Sequence, residues 1–452
     1  EEVEHRWSRA RAQFVLGRIL RRAEAPDPQA TVARLEAAAN DAIADRDRLL
    51  AIEALHEAAR AAVLLVPDAA EAGSLLRRAE AELAALDGLP RPLGPQLRAS
   101  QHDIRGLIDY EGGAYEAARE AHRAAIGELR GLAEAGELDD EGRRLLAAAY
   151  LNLSRALDDA RARERALDEA HALMIQLYGE GHPQLAIHLY SQGLAAFHAG
   201  RPVLARELAE ASLLLALDAG SGAPLQTARA ELLLSQLNLH RGDFEAALRL
   251  ATYAEERLPA PRGNDFLQAR RLRALSLRSL DRHAEAERIE ELLVAQASED
   301  ASLGADDRAD ILLDRARGKI DEERYDDALH LIDTLERGLG GAPLPASGLA
   351  IRGWALARAG REAEAIFPLE KGIERLTAGY QQSERALSEW TLAEALIAVD
   401  GDRRRICELF AASRVFYSAQ EGSEATTAEL DDLLAEQGCS PPDTNPPTEA
   451  PK

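Results

Sequence analysis

The chain has 452 residues, 46% of them hydrophobic but only 4% aromatic, with one Met, so its apolar content is chiefly Ala and Leu. That composition suits close helix–helix packing and fits a β-sandwich poorly. The formal net charge of −24 repels phosphate backbones and speaks against general nucleic-acid binding.

From the N-terminus, Glu1-Glu2-Val3-Glu4 carries no mark of a signal peptide, and the missing initiator Met leads to the expectation of a fragment or processed piece. Its remainder would then hold an anchor or a catalytic domain. No apolar run approaches the ~18 residues of a membrane span. Residues 6–86 have a helical apolar period with blurred motifs: Arg11–Leu20, with Gly17, reads as one helix and Leu75–Leu86 as another. From residue 98 onward the pattern sharpens. Gly113-Ala114-Tyr115-Glu116-Ala117-Ala118 has counterparts starting at Gly200, Gly242, Asp281, Glu323 and Gly360, a period of about 40 residues that marks a repeat architecture.

Each repeat reads as two helices. Leu225–His240 has leucines at helical spacing, Arg241-Gly242-Asp243 breaks it, and Phe244–Leu258 follows until Pro259 and Pro261. Ala stands at the tight crossing in every copy: Ala118, Ala205, Ala247, Ala286, Ala328 and Ala365. The second copy departs, with Arg161-Ala162-Arg163 in place of the Gly turn. The last, Leu387–Ser418, carries extra residues at Asp400-Gly401-Asp402. Thr426-Thr427-Ala428-Glu429 reads as a capping box ahead of a covering helix, Leu430–Glu436. Cys439–Lys452 holds five prolines and reads as a disordered tail. Two cysteines make no disulfide framework. Cys407 reads as a small buried hydrophobe, and a Cys407–Cys439 bridge, the alternative, would staple the last helix and imply an oxidising compartment.

Chemistry-bearing motifs are missing from the sequence. There is no Gly-x-x-x-x-Gly-Lys cradle, and Gly338-Leu339-Gly340-Gly341 reads as a helix stop and loop. Kinase signatures are absent. His56-Glu57 lacks the second His of a zincin, and His182, His188 and His198 read as turn and surface residues rather than ligands. No catalytic residue, cofactor or metal is therefore assigned.

The repeats resemble the tetratricopeptide family: a small residue midway along the first helix (Gly106, Ser154, Gly193, Ser235, Ala274, Ala316, Gly353, Ala393), a turn aromatic (Tyr115, Phe244, Tyr325) and small or apolar packing residues in the second (Ala125, Ser212, Ala254, Leu335). The long period and the connector Tyr178-Gly179-Glu180-Gly181-His182-Pro183 are similar to the kinesin-light-chain-like subclass, which also occurs C-terminally in Ser/Thr kinases of myxobacteria and relatives. The resemblance implies an all-α solenoid of eight to ten antiparallel helix pairs in a right-handed superhelix. Its expected parts are degenerate repeats over 1–97, a regular array over 98–420, a capping helix over 421–438 and the tail over 439–452.

It also implies a concave groove lined by first helices, in which a protein or peptide lies. The groove candidates, flanking the small residues, are Asn152, Arg155, Tyr190, Leu194, His198, Gln236, His240, Arg271, Arg278, Arg317, Trp354 and Arg358. Asn152 matches the family's peptide-backbone clamp; Ser191, Leu233 and Asp314 stand at the equivalent places elsewhere. Arg270, Arg271, Arg273, Arg278 and Arg282 form a basic cluster that would grip an acidic segment, unless Asp265, Glu285 and Glu287 neutralise it. Trp354 reads as a core packer, with an exposed anchor as the alternative. The expected function is a non-catalytic binding scaffold or sensor module of a bacterial protein. The alternatives are a regulatory region of a Ser/Thr kinase and a self-assembly module. A cytoplasmic site is expected, or an extracytoplasmic one if a preceding part carries an anchor.

Overall fold

The computed structural model describes residues 2–21, 27–66, 68–86, 88–218, 224–258, 264–299, 305–376, 381–419 and 423–439. Among them lie 21 α-helices, one short 3-10 turn and no strand. They run as pairs: α1 (Glu2–Arg21) and α2 (Pro28–Ala44), α3 (Arg48–Leu65) and α4 (Ala69–Ala84), α5 (Leu93–Glu111) and α6 (Tyr115–Glu134), α7 (Asp140–Ala156) and α8 (Ala160–Tyr178). After the 3-10 turn at Pro183–Leu185 come α9 (Ala186–His198) and α10 (Pro202–Asp218), α11 (Pro224–Arg241) and α12 (Phe244–Arg257), α13 (Asn264–Ser279) and α14 (His283–Glu299). The remainder are α15 (Ala305–Asp321) and α16 (Tyr325–Gly338), α17 (Ala346–Arg358) and α18 (Glu362–Arg375), α19 (Gln382–Ala398) and α20 (Arg403–Ser418), and a last helix, α21 (Glu424–Glu436). None of the described helices is long and apolar enough to cross a membrane.

The chain divides into two compact units. One comprises Glu1–Phe197 and Pro202–Ser276, the other His198–Arg201 and Leu277–Lys452. Each is an α-solenoid stretch. In the first unit α1 packs on α2, α2 on α3 and so on to α8, while α3 also meets α5 and α5 meets α7. In the second, α15 meets α17 and α17 meets α19 in the same way. Contacts between first helices of successive pairs let each pair bury its apolar face on the next.

The motif explains the geometry residue by residue. Gly113, Gly200, Gly242, Asp281, Glu323 and Gly360 all adopt left-handed φ, between 58° and 81°. This conformation reverses the chain at the end of each first helix and lets the next amide close on a carbonyl five residues back, as in Asp243 N–H to Asn238 O at 2.9 Å. The six crossing alanines are fully buried. A Cβ added to Gly353 would stand 2.4 Å from Leu369 Cγ, and one on Gly106 2.5 Å from His122 Cε1. Ser235 instead spends its hydroxyl on Ala247 O, at 2.8 Å.

Four expectations need correction. Arg161-Ala162-Arg163 is no turn: it lies inside α8, which Asp159 caps by accepting from Ala162 N–H at 2.7 Å. Without a left-handed residue there, Arg119 takes Ala156 O and Arg163 takes Leu157 O. Asp400 is no insertion, because it holds the left-handed place (φ 54°) of the last pair and Asp402 caps α20. The capping box does not form. Helix α21 starts at Glu424, so Thr426 is already inside it, and both Thr427 N–H and Oγ1 donate to Ser423 O. Finally, Cys407 is not a free hydrophobe but is bridged to Cys439, 32 residues away. The tail from 440 onward, and Pro259 and Pro261, lie outside the described residues.

Candidate functional site

In the first unit, the candidates gather on the first helices. Asn152 of α7 donates Nδ2–H to Asp103 Oδ1 of α5 at 3.0 Å. His122 Nδ1 of α6 meets the same oxygen at 3.0 Å, and Arg60 of α3 lies 3.6 Å from Oδ2. Burial pushes the Asp103 carboxyl up, but the His122 hydrogen bond, the Arg60 charge and the Asn152 amide outweigh it and hold the group below the usual range. The Asn152 amide is thereby fixed by its nitrogen, with Oδ1 left to accept. One turn on, the Arg155 guanidinium lies 4.6 Å from the Tyr110 ring centre and 3.7 Å from Glu111.

Tyr190 of α9 is the centre of the set. Burial pushes its phenol up to about 12, with Asp265 adding to the shift and Arg229 and Arg155 opposing it. One side chain thus feels charges on α7, α11 and α13. Arg229 of α11 and Asp265 of α13 pair at 3.0 Å. Leu194 packs at the edge of the Phe197–Leu233–Leu237 cluster. Gln236 is half-buried on α11, and exposed His240 sets its ring edge-on to Phe197 at 5.0 Å. His198, the last residue of α9, and Arg271 on α13 are half-buried.

The basic cluster is absorbed by the fold. Arg270 and Arg273 both hold Glu255, and Arg282 grips Glu285 with two bonds at 2.8 and 2.9 Å. Arg278, named as a groove residue, is only 8% exposed and is no contact surface. It holds Glu290 at 2.7 Å and lies 3.3 Å from Glu322 and from Gly318 O. Arg315 and Lys319, also buried, complete this network with Glu287, Glu290 and Glu322. Of the acids expected to neutralise the cluster, Glu285 does so by holding Arg282. Asp265 holds Arg229, and Glu287 holds Arg315 and Lys319.

Elsewhere in the second unit, Arg317 of α15 pairs with Asp314 at 3.5 Å and with Glu384 of α19, whose other oxygen accepts from Ser347 Oγ of α17 at 2.7 Å. Three first helices are thereby tied together. Arg358 is exposed at the end of α17. Trp354, 8% exposed, belongs to the core with Leu369 and Phe410, so the anchor alternative fails.

Sequence reasoning missed Tyr110, Asp103, Arg229 and Asp265. For Arg229 the signal was present: it lies seven residues before Gln236, on the same helix face two turns N-terminally. A cleft of about 600 Å³ between α5 and α6 offers no competing anion grip, because its Arg98 and Arg91 are already paired with Glu128 and Glu137. Among the described residues, no three His, Cys, Asp or Glu side chains are placed to hold a metal ion.

No family model matches the chain, and no curated protein matches it significantly. Solved structures do. A Rap protein complexed with competence and sporulation factor superposes with a TM-score of 0.59 at 13% identity, covering 87% of this chain and 99% of that one. The apo quorum sensor NprR from B. thuringiensis gives 0.57 at 12% identity over 83% and 99%. NprR in complex with its cognate peptide NprX gives 0.53 at 13% identity over 83% and 98%. At such identities the likeness establishes the fold: this chain is an all-α helical-repeat protein.

Proposed function

We propose that the chain is a non-catalytic peptide-binding module, with its ligand lying along the first helices α7, α9, α11 and α13. The observation that carries this is the side-chain bonding from one first helix to the next, Asn152 of α7 to Asp103 of α5 and Arg229 of α11 to Asp265 of α13, with half-buried Tyr190 of α9 packed beside Leu194 on the Phe197–Leu233–Leu237 cluster. An aromatic with a polar tip, on a row of first helices that also carries the oriented Asn152 amide and Gln236, suits an extended peptide backbone with apolar side chains. Two solved neighbours are complexes, Rap with competence and sporulation factor and NprR with NprX, and this supports the same use here. An acidic ligand would have to compete with Glu111 and Asp265 for Arg155 and Arg229. A charge-balanced segment fits the row better.

Selection from a displayed random peptide library tests the reading. The enriched peptides should bind the wild type and lose at least ~10-fold in affinity, about 1.4 kcal/mol, with Arg155→Ala, at an unchanged melting temperature, or with Tyr190→Phe, which removes the polar tip and keeps the packed ring. Peptides indifferent to both changes, or no enrichment, would refute it.

A second reading, a regulatory region of a larger bacterial protein such as a Ser/Thr kinase of the kind that carries long-period repeats, is favoured by the Cys407–Cys439 bridge. Such a bridge suits a region held in an oxidising compartment. The upstream open reading frame decides it: a kinase domain followed by a membrane span supports the reading, and a start codon at residue 1 removes it.

A further inference from the structure

Four ties hold α21 to the second unit. Leu430 and Leu434 are buried, with Leu433 at the margin of the core that includes Ile406, Leu409 and Phe410. Arg414 of α20 grips Asp431 through both oxygens. Arg403, at the start of α20, donates to Gln437 O at 2.6 Å and to Gly438 O at 3.1 Å. The fourth tie is the Cys407–Cys439 disulfide, which joins α20 to the residue three past the end of α21.

The noncovalent grip is small. Only Leu430 and Leu434 of this helix are buried. The Arg403 bonds are solvent-exposed, and Asp431 is 43% exposed, so water and salt weaken these polar ties. By contrast, the core that α21 covers has its own interior: Phe410 and Leu392 are fully buried, and α19 packs along both α18 and α20. Both cysteines are half-buried, so the bond lies at the surface margin and is not sealed in the core. The bridge thus sits where it controls one helix and not the body beneath.

We infer that α21 is a redox-released cap. A dithiol, either a small molecule or a protein dithiol, attacks one sulfur of the bridge as its thiolate and forms a mixed disulfide. Its second thiol then displaces the remaining sulfur. Two electrons and two protons pass to Cys407 and Cys439, which become thiols, and the reductant leaves as its own disulfide. With the 32-residue loop no longer closed, α21 detaches and uncovers the flank of α20 on which Leu430 and Leu434 pack. Oxidation restores the cap.

Hydrogen–deuterium exchange of the intact chain, with and without millimolar dithiothreitol, tests this, with thiol alkylation and mass measurement confirming reduction. Exchange over 424–436 should accelerate about 100-fold or more, while 346–358 in α17 keeps its protection. Exchanging the dithiol for oxidised glutathione, which takes back the two electrons and two protons and leaves as two thiols, should reverse the change. The variant with Cys407→Ser and Cys439→Ser should match the reduced chain; if it does not fold, the reduced wild type carries the test. Full reduction with α21 still protected would overturn the inference, as would equal loss of protection across α17–α20, which would make the bridge a staple of the whole unit. A bond that dithiothreitol leaves intact overturns it as well.

Discussion

A Cβ at Gly353 would meet Leu369, a fully buried leucine with nowhere to move, whereas one at Gly127 would meet nothing within 4 Å. Both glycines lie inside helices and lose conformational entropy to the same extent, so their substitutions should differ in sign. Gly353→Ala gains up to ~1 kcal/mol of helix propensity but forces α17 and α18 apart at about 1–3 kcal/mol, a net loss. Gly127→Ala keeps the gain. Urea denaturation of the two variants measures the difference, and equal effects would mean that Gly353 is not a packing residue.

Buried histidines make a second residue-scale prediction. Burial lowers His56 to about 3, with Arg60 adding to the shift, and lowers His188 to about 4, with His171 adding. Both are neutral in the fold, and neither has a partner for one ring nitrogen among the described residues. The unfolded chain takes up these protons near 6.5, before the folded chain does, so stability is complete above that pH and falls as the pH drops toward 4. The loss is on the order of 3 kcal/mol for each group once the pH passes its folded value. His188→Leu should flatten the decline in melting temperature between pH 6.5 and about 4 relative to wild type. Using the difference cancels the carboxylates common to both proteins. An unchanged slope would contradict the assignment.

At the scale of the helix, caps and turns separate what could be read in the sequence from what could not. The left-handed turns and crossing alanines were legible because one local conformation demands one small residue and the demand recurs. The start of α21 was not legible. Ser423, Thr426 and Thr427 can each begin a helix, and the choice of Glu424 as the first residue depends on which register places Leu430 and Leu434 in the core. Asp159→Ala, which removes a formed cap bond of 2.7 Å, should cost about 1 kcal/mol. Thr426→Ala should stay within ~0.5 kcal/mol. Thermal melts of both variants check the contrast, and a cap-sized loss at Thr426 would restore the capping box.

The candidate groove residues show a related limit. Flanking a small residue picked Arg155, one after Ser154, and Tyr190, three before Gly193, and the same rule picked Arg278, which lies four after Ala274 and is buried. Its environment is set by Glu290 and Glu322, 12 and 44 residues away in the chain, and no local pattern announces such pairing. Reversing its charge would add a carboxylate beside Glu290 and Glu322 and leave Arg315 and Lys319 alone to balance them and Glu287, so Arg278→Glu would report on folding rather than on ligand. Arg155, 45% exposed, is the arginine whose loss reads out binding.

Among the described residues, the extensive helix–helix packing joins neighbours or next-but-one neighbours in the chain, and a side-chain tie such as Arg317 to Glu384 reaches from α15 to α19. Nothing in such an arrangement forces distant pairs to unfold together, and stability becomes a sum of local and nearest-neighbour terms. The two compact units differ in what holds them: the second has a large continuous core running from Ala309 to Leu434 and the only disulfide among the described residues, while the first has several smaller apolar clusters. Trp354 and Trp390 both report on the second unit. In a Trp7→Phe background, urea unfolding followed by tryptophan fluorescence should therefore have its midpoint at higher urea than unfolding followed by far-UV circular dichroism, which averages all helices. Reduction of the disulfide should leave the fluorescence midpoint in place, because it frees α21 and not the helices that carry Trp354 and Trp390. Coincident curves in the oxidised chain would mean that coupling across the array exceeds the local terms, and the two units would then have to be treated as one cooperative body.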